Sequence, residues 1–129
     1  MGQAILVVDD EPALLALIAR ALEAEGFSVA VAGDGMEAWG LIEEGNGPFD
    51  LLVVDIVMPR WDGTTLMRRV RAEHPAQRIL LITGRTDGIL HESVPADTPL
   101  LLKPFTPDEL VRAVRSVLMP RSQRAPVRR

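Results

Sequence analysis

Short apolar runs that alternate with amphipathic segments are the feature of this sequence that most limits its possible folds. Five runs have the length and apolar content of strands: residues 4–8, 27–31, 51–54, 78–83 and 99–102. Four segments have apolar residues at helical spacing: residues 12–25, 35–44, 63–73 and 106–118. Short apolar strands that alternate with helices are typical of a parallel sheet covered on both faces. The sequence therefore predicts a doubly wound α/β fold.

The clearest signals for helix ends stand in the first and last of these segments. Pro12 is suited to the first helical position, and Gly26 follows the end of the same segment. Thr106 and Glu109 form a capping-box pattern. Residues 84–98 are the weakest part of the pattern, because glycines and prolines interrupt a segment with few apolar residues. We expect only a short, weakly anchored fourth helix there.

Charge is unevenly distributed along the chain. Residues 1–119 contain 18 acidic and 10 basic residues, whereas residues 120–129 contain four arginines and no acid. We expect the first part to form one acidic domain that does not bind nucleic acid, and the second to be a basic disordered tail or linker. No apolar run approaches the ~20 residues that span a bilayer, and no signal peptide pattern is present. The absence of cysteine fits a cytoplasmic protein.

Polar side chains stand where the predicted strands end. They are Asp9 and Asp10 after the first strand, Asp55 after the third, Thr83 at the end of the fourth and Lys103 after the fifth. Open parallel sheets bind their ligands at the carboxyl ends of the strands. We therefore expect three carboxylates, a hydroxyl and an ammonium to converge at one edge of the sheet.

Three neighbouring carboxylates repel one another unless a positive charge offsets them. Oxygen ligands select hard cations such as Mg²⁺, Mn²⁺ or Ca²⁺, and Mg²⁺ is usually held by one or two carboxylates with water and phosphate oxygens. Lys103 is the only lysine beside 13 arginines, which favours a specific ammonium role. A carboxylate such as Asp55 beside these charges can accept a phosphoryl group. Taken alone, Asp9 and Asp10 would be interpreted as caps of the following helix, but beside Asp55 and Lys103 the metal site is the favoured interpretation.

Four segments of the chain resemble response regulator receiver domains of two-component signalling. They are residues 7–12 (VVDDEP), 55–63 (DIVMPRWDG), 83–84 (TG) and 103–105 (KPF). Each segment alone is a weak signal, but all four occur in order, each at the end of a predicted strand. The resemblance covers residues 4–118 and implies a flavodoxin-like fold with five parallel strands in the order 2-1-3-4-5.

The resemblance implies a metal site and its ligands. Asp10 would bind Mg²⁺, or Mn²⁺ in its place, directly, and Asp9 would bind it through water. Asp55 and the backbone carbonyl of Val57 would complete the protein ligands. The same acidic edge that the residues themselves point to would therefore hold the cation.

The resemblance also implies how the phosphoryl group is handled. Asp55 would accept it from the phosphohistidine of a sensor histidine kinase or a histidine phosphotransfer protein. Thr83 would donate a hydrogen bond to it, and Lys103, followed by a cis peptide bond to Pro104, would pair with Asp55 or its phosphate. The domain would then act as a switch for an unknown downstream protein rather than as an enzyme.

Three departures from the family pattern alter the expected behaviour. Leu100 stands three residues before Lys103, where receivers that switch through an aromatic ring carry Phe or Tyr. Val57, two residues after the acceptor, cannot hydrogen-bond a hydrolytic water, and Arg85 could screen the phosphate, so we expect a long-lived phosphoryl group. Residues 84–98 are short, as in receivers of hybrid kinases and of some stand-alone regulators, and we expect phosphorylation to order them.

Three other functions remain as alternatives. Aspartate-nucleophile phosphohydrolases carry an Asp-x-Asp motif after their first strand, whereas residues 9–12 here read DDEP. A flavodoxin needs a hydroxyl- and glycine-rich phosphate loop, from which two aspartates would repel phosphate. A degenerate receiver that only binds other proteins would be expected to lack an acid, the acceptor or the lysine. Of the remaining residues, we expect Trp39 in the core, and His74 and His91 on the surface without metal-ligand spacing.

Overall fold

The strands of the protein are β1 (Ala4–Val8), β2 (Ser28–Ala32), β3 (Leu51–Asp55), β4 (Ile79–Thr83) and β5 (Leu100–Leu102). The helices are α1 (Pro12–Ala24), α2 (Gly35–Glu43), α3 (Gly63–Glu73) and α4 (Pro107–Leu118). They come from a computed structural model that describes residues 2–45, 48–58, 60–84, 94–95 and 97–119. All strand pairs are parallel, and the order β2-β1-β3-β4-β5 confirms the predicted topology.

Alternate residues of the central strands pack against opposite layers of helices. In β1, Ile5 and Val7 lie in an apolar cluster with residues of α1 and α4. Leu6 and Val8 lie in a second cluster with residues of α2 and α3. These four side chains are fully buried. Burial on both faces explains why these strands are continuously apolar, since neither face meets water.

Three predicted helix signals have the expected structural roles. The Thr106 hydroxyl accepts a hydrogen bond from the Glu109 N–H at 3.1 Å, and the Glu109 carboxylate accepts one from the Thr106 N–H at 2.8 Å. This capping box starts α4. Pro12 is the first residue of α1. Gly26, with a φ of 94°, turns the chain from α1 into β2 in a conformation that disfavours other residues.

The predicted bounds differ from the structure by at most one residue at either end, and one difference concerns the site. Asp55 is the last residue of β3 and not the residue after it, and it pairs in register with Ile82. Its backbone is therefore fixed by the sheet. The short fourth helix was expected within residues 84–98, of which residues 85–93 and 96 lie outside the described residues, as does the expected tail of residues 120–129. None of the described helices is long and apolar enough to cross a membrane.

Candidate functional site

The sheet brings three of the predicted carboxylates together at its carboxyl edge. Asp9 follows β1, and Asp55 ends the neighbouring strand β3. Asp9, Asp10 and Asp55, here called the strand-end cluster, offer carboxylate oxygens that lie within 4.8 Å of one another. Asp9 is 0% exposed and Asp55 4% exposed, whereas Asp10 is exposed to solvent. Two of the three negative charges are therefore largely removed from water.

Lys103 places its ammonium nitrogen among these carboxylates. Its Nζ lies 3.2 Å from Oδ2 of Asp55 and 3.3 Å from Oδ2 of Asp9. A third carboxylate oxygen, Oε1 of Glu11, is also 3.3 Å away. The contact with Glu11 was missed in the sequence, although Glu11 directly follows Asp10. One ammonium is thus shared by three carboxylates, two of them buried.

The ends of β4 and β5 hold Thr83 and Lys103 side by side. Thr83 is fully buried at the end of β4, and it is in register with Leu102 of β5. The backbone N–H of Lys103 donates to the Thr83 carbonyl at 2.8 Å. The peptide bond between Lys103 and Pro104 is cis, as the resemblance implied. The predicted hydroxyl and ammonium therefore belong to neighbouring strand ends, beside the strand-end cluster.

Burial and neighbouring charges shift two pKa values at this edge. Loss of solvent, followed by repulsion from Asp9, raises the pKa of the Asp55 carboxyl, and the Lys103 ammonium only partly offsets these effects. Burial opposes protonation of Lys103, but attraction by Asp55 and Asp9 outweighs it and raises the pKa of the ammonium. Lys103 is therefore positively charged near neutral pH. Even so, the negative charge at this edge exceeds the positive charge.

The donor atoms at this edge fit a hard cation. Oδ1 of Asp9 accepts a hydrogen bond from the Glu11 N–H at 2.9 Å. Oδ2 of Asp9 is buried and, among the described residues, has only its ion-pair contact with Lys103 and no hydrogen bond. Glu11 is the N-cap residue of α1 and makes no side-chain capping hydrogen bond, so Asp10 does not occupy the N-cap position of this helix. Buried, under-satisfied carboxylate oxygens suit Mg²⁺ or Mn²⁺.

The loop after β3 folds back against Asp55. The Val57 N–H donates to Oδ1 of Asp55 at 3.2 Å, while the Val57 side chain is 49% exposed. At the other end of the loop, the Gly63 N–H donates to the Ile56 carbonyl at 2.8 Å. A Cβ at Gly63 would lie only 2.8 Å from the Ile56 Cα, so glycine is needed where α3 starts beside the site.

A second group of metal-ligating side chains was not predicted. Glu43, Glu73 and His74, here called the helix-end cluster, offer ligand atoms within 4.8 Å of one another. Glu43 ends α2, and the other two stand at the end of α3. The expected surface position of His74 is confirmed. Its sequence neighbours have no metal-ligand spacing, but the fold brings it close to Glu43 of another helix. Packing of two helices creates this group, and no local sequence spacing could have revealed it.

Comparisons with known proteins agree on one family. A family model described as "Response regulator receiver domain" matches residues 5–115. The sensor kinase CckA of Brucella abortus is 36% identical over 116 residues, which are 88% of this chain and 12% of that kinase. The transcriptional regulatory protein TcrA of Mycobacterium tuberculosis is 37% identical over 131 residues, which are 99% of this chain and 49% of that regulator. The chain therefore spans less than half the length of either relative.

Solved structures show the same relationship at the level of the fold. The Vibrio cholerae chemotaxis protein CheY4 superposes with a TM-score of 0.82 at 26% sequence identity. The superposition covers 91% of this chain and 99% of that protein. The strand order and the helices on both faces are thus those of a known group of structures.

Proposed function

Because this chain belongs to the response regulator receiver domain family of two-component signalling, we propose that it accepts a phosphoryl group on the Asp55 carboxylate with Mg²⁺ bound beside it. One observation carries the proposal. The Lys103 Nζ lies 3.2 Å from Oδ2 of Asp55 at an edge where Asp9 and Asp10 offer further oxygens. An ammonium and a carboxylate trio of this kind combine a nucleophile with groups that can balance phosphoryl charge.

Four residues would hold the cation. Asp10 is exposed and would bind Mg²⁺, or Mn²⁺, directly, whereas the buried Asp9 would act through water. Asp55 and the backbone carbonyl of Val57 would contribute the other protein oxygens. The buried Oδ2 of Asp9, which has no hydrogen bond in the described part of the chain, supports this assignment. When bound, the cation supplies positive charge against the oxygens of the phosphoryl group.

Asp55 is the proposed nucleophile. One of its carboxylate oxygens forms a bond to phosphorus while the bond from phosphorus to the donor breaks. With a phosphohistidine donor, the imidazole nitrogen keeps the electron pair of the broken bond. Lys103, protonated throughout, pairs with an oxygen of the transferred group, and the Thr83 hydroxyl donates a hydrogen bond to another. The sheet holds these groups on neighbouring strand ends before any donor arrives, which reduces the reorganisation required.

The proposed role is that of a switch with protein partners. The phosphoryl donor would be a sensor histidine kinase or a histidine phosphotransfer protein in the cytoplasm, and the output would be altered binding of a downstream protein. The domain would catalyse only its own phosphorylation and dephosphorylation and would not turn over another substrate. The acidic charge of residues 1–119 argues against direct nucleic acid binding by the folded part.

The switching step would not use an aromatic ring at position 100. Leu100 is 3% exposed and belongs to the apolar cluster of the α2 and α3 face. It has no polar group that could favour an exposed state. We propose instead that phosphorylation orders residues 84–98, most of which lie outside the described residues.

Intact mass after incubation with acetyl phosphate and Mg²⁺ tests the proposed function. The wild-type protein should gain the mass of one phosphoryl group, and the gain should require Mg²⁺. Asp55→Asn should gain none, because an amide cannot form the acyl phosphate. Glu73→Gln, which changes a carboxylate of the helix-end cluster, is the matched control and should behave as wild type. An unchanged gain in Asp55→Asn would place the acceptor elsewhere.

A further inference from the structure

One arginine lies against both tryptophans of the chain. The guanidinium carbon of Arg69, on α3, is 5.2 Å from the centre of the Trp39 ring and 5.1 Å from that of Trp61. Trp39 belongs to α2, and Trp61 belongs to the loop that joins β3 to α3. The two ring centres are 6.3 Å apart and the rings are inclined by 48°. Arg69 therefore links the loop after Asp55 to both neighbouring helices.

The backbone of this loop is fitted closely to the start of α2. A Cβ at Gly35 would lie 2.6 Å from the Cβ of Trp61 and 2.7 Å from its carbonyl oxygen, so no other residue fits there without movement. Arg60, one residue earlier, has a φ of 63°, a left-handed conformation that costs a non-glycine residue free energy. Its side chain makes an ion pair with Asp34 at 3.5 Å. The loop thus has a strained residue that its neighbours must hold in place.

The other end of the loop carries groups that face the acceptor. The Val57 N–H donates to Oδ1 of Asp55 at 3.2 Å. The carbonyl of the same residue is a ligand in the proposed metal site. A shift of the loop would therefore move a hydrogen-bond donor and a metal ligand together.

We propose that Arg69 is a positioning residue for the phosphoryl-acceptor site, which it influences through Trp61 and the loop that carries Val57. The inference rests on the proposed function and adds a residue that none of the four receiver-like segments contains. A planar guanidinium suits this role because it can stack on aromatic faces while its charge stays in water, and Arg69 is exposed. Removing the charge loosens the loop without touching any proposed ligand.

Three variants distinguish positioning from simple packing. Arg69→Gln removes the cation, Arg69→Lys keeps a cation at the same position, and Arg71→Gln is a control on the same helix. Arg71 is exposed and, in the part of the chain that the structure describes, lies against neither tryptophan ring. Two measurements are made on each: quenching of tryptophan emission by acrylamide, and the rate of phosphorylation by acetyl phosphate as a function of Mg²⁺ concentration. Arg69, Trp39 and Trp61 are here called the stack. It contains both tryptophans of the chain, so tryptophan emission reports on the stack alone.

Arg69→Gln should increase quenching and raise the Mg²⁺ concentration for half-maximal phosphorylation rate about fivefold. The rate at saturating Mg²⁺ should change little, since the nucleophile and Lys103 remain in place. Arg69→Lys should recover most of the lost Mg²⁺ response, and Arg71→Gln should match wild type. If Arg69 only stabilised the fold, Arg69→Gln would lower thermal stability. The Mg²⁺ concentration for half-maximal rate would then not rise while the rate at saturating Mg²⁺ stayed the same.

Two outcomes would overturn the inference. Unchanged quenching in Arg69→Gln would show that the stack does not hold Trp61. Increased quenching with an unchanged Mg²⁺ response would show that the stack exists but does not position the site. Failure of the wild-type protein to be phosphorylated at all would instead refute the proposed function, and the positioning role with it, while the quenching data would still report on the stack.

Discussion

The strand-end and helix-end clusters have the same spacing of ligand atoms but different surroundings. In each cluster, three ligand atoms lie within 4.8 Å of one another. Two carboxylates of the strand-end cluster are buried and both contact Lys103, whereas all three side chains of the helix-end cluster are exposed. Exposed charges keep their water at little cost, but buried carboxylates must be paired or bind a cation. Burial, and not spacing, therefore separates a candidate site from a group of surface side chains.

Removal of the shared ammonium should reveal the largest difference in stability between the two clusters. Lys103→Met leaves Asp9 and Asp55 buried without their counter-charge, and we expect a loss of about 3 kcal/mol in the free energy of unfolding without metal. Added Mg²⁺ should restore part of the lost free energy of unfolding. His74→Ala in the helix-end cluster should change stability by less than about 0.5 kcal/mol. Urea unfolding of the two variants measures both values, and equal effects would abolish the distinction.

The sequence predicted the strand-end cluster well because position on a parallel sheet determines which residues meet. Five strands in a known order bring Asp9, Asp55 and Lys103 to one edge whatever their sequence separation. The resemblance gave Asp9 and Asp10 different roles, but the sequence could not show that Asp9 is buried and Asp10 exposed. Nor could it show contacts between helix surfaces, because these depend on how the helices pack. Arg69 and the helix-end cluster were missed for this reason.

The pH dependence of stability should also distinguish the buried cluster. Burial raises the pKa of Asp55 above its ordinary value of 3.8. Between pH 3.8 and the raised pKa, the Asp55 carboxyl is ionised in the unfolded chain but still protonated in the folded protein. The free energy of unfolding of the wild type therefore falls relative to that of Asp55→Asn as pH rises through this window. Above that window the difference should be constant. The pKa of Lys103 is raised above 10.5, so that group does not titrate in this range.

Urea unfolding of wild type and Asp55→Asn in metal-free buffer, from about pH 4 to about pH 8, measures this difference. Glu73→Gln provides the comparison from the helix-end cluster. A difference between Asp55→Asn and wild type that does not vary with pH would contradict the raised pKa of Asp55.

Val57 should control how long the phosphoryl group persists in the strand-end cluster. Val57 lies beside Asp55 and is 49% exposed, so solvent can reach its side chain, but this side chain cannot hydrogen-bond a water molecule. Val57→Asn should therefore speed dephosphorylation several-fold by orienting a hydrolytic water. The decay of the phosphorylated mass after removal of donor tests this, with Val57→Leu as the matched apolar control. Equal decay of Val57→Asn and wild type would refute the explanation.

Asp10 should show the smallest effect on stability, because it is the exposed member of the strand-end cluster. Asp10→Ala removes like-charge repulsion, and we expect a rise of less than about 0.5 kcal/mol in the free energy of unfolding without metal. We also expect Mg²⁺ binding to change the fluorescence of Trp61, because Trp61 belongs to the same loop as Val57, and Asp10→Ala should abolish this response. A loss of stability in metal-free buffer would indicate that Asp10 mainly stabilises the start of α1.

The most direct test of the account is to identify the residue that carries the phosphoryl group. Phosphorylation with acetyl phosphate and Mg²⁺, followed by borohydride reduction and peptide mass spectrometry, converts an aspartyl phosphate into homoserine at the modified position. The account predicts homoserine at position 55 and an unmodified helix-end cluster. Reduction products at Glu43, Glu73 or Asp10, with Asp55 intact, would contradict it.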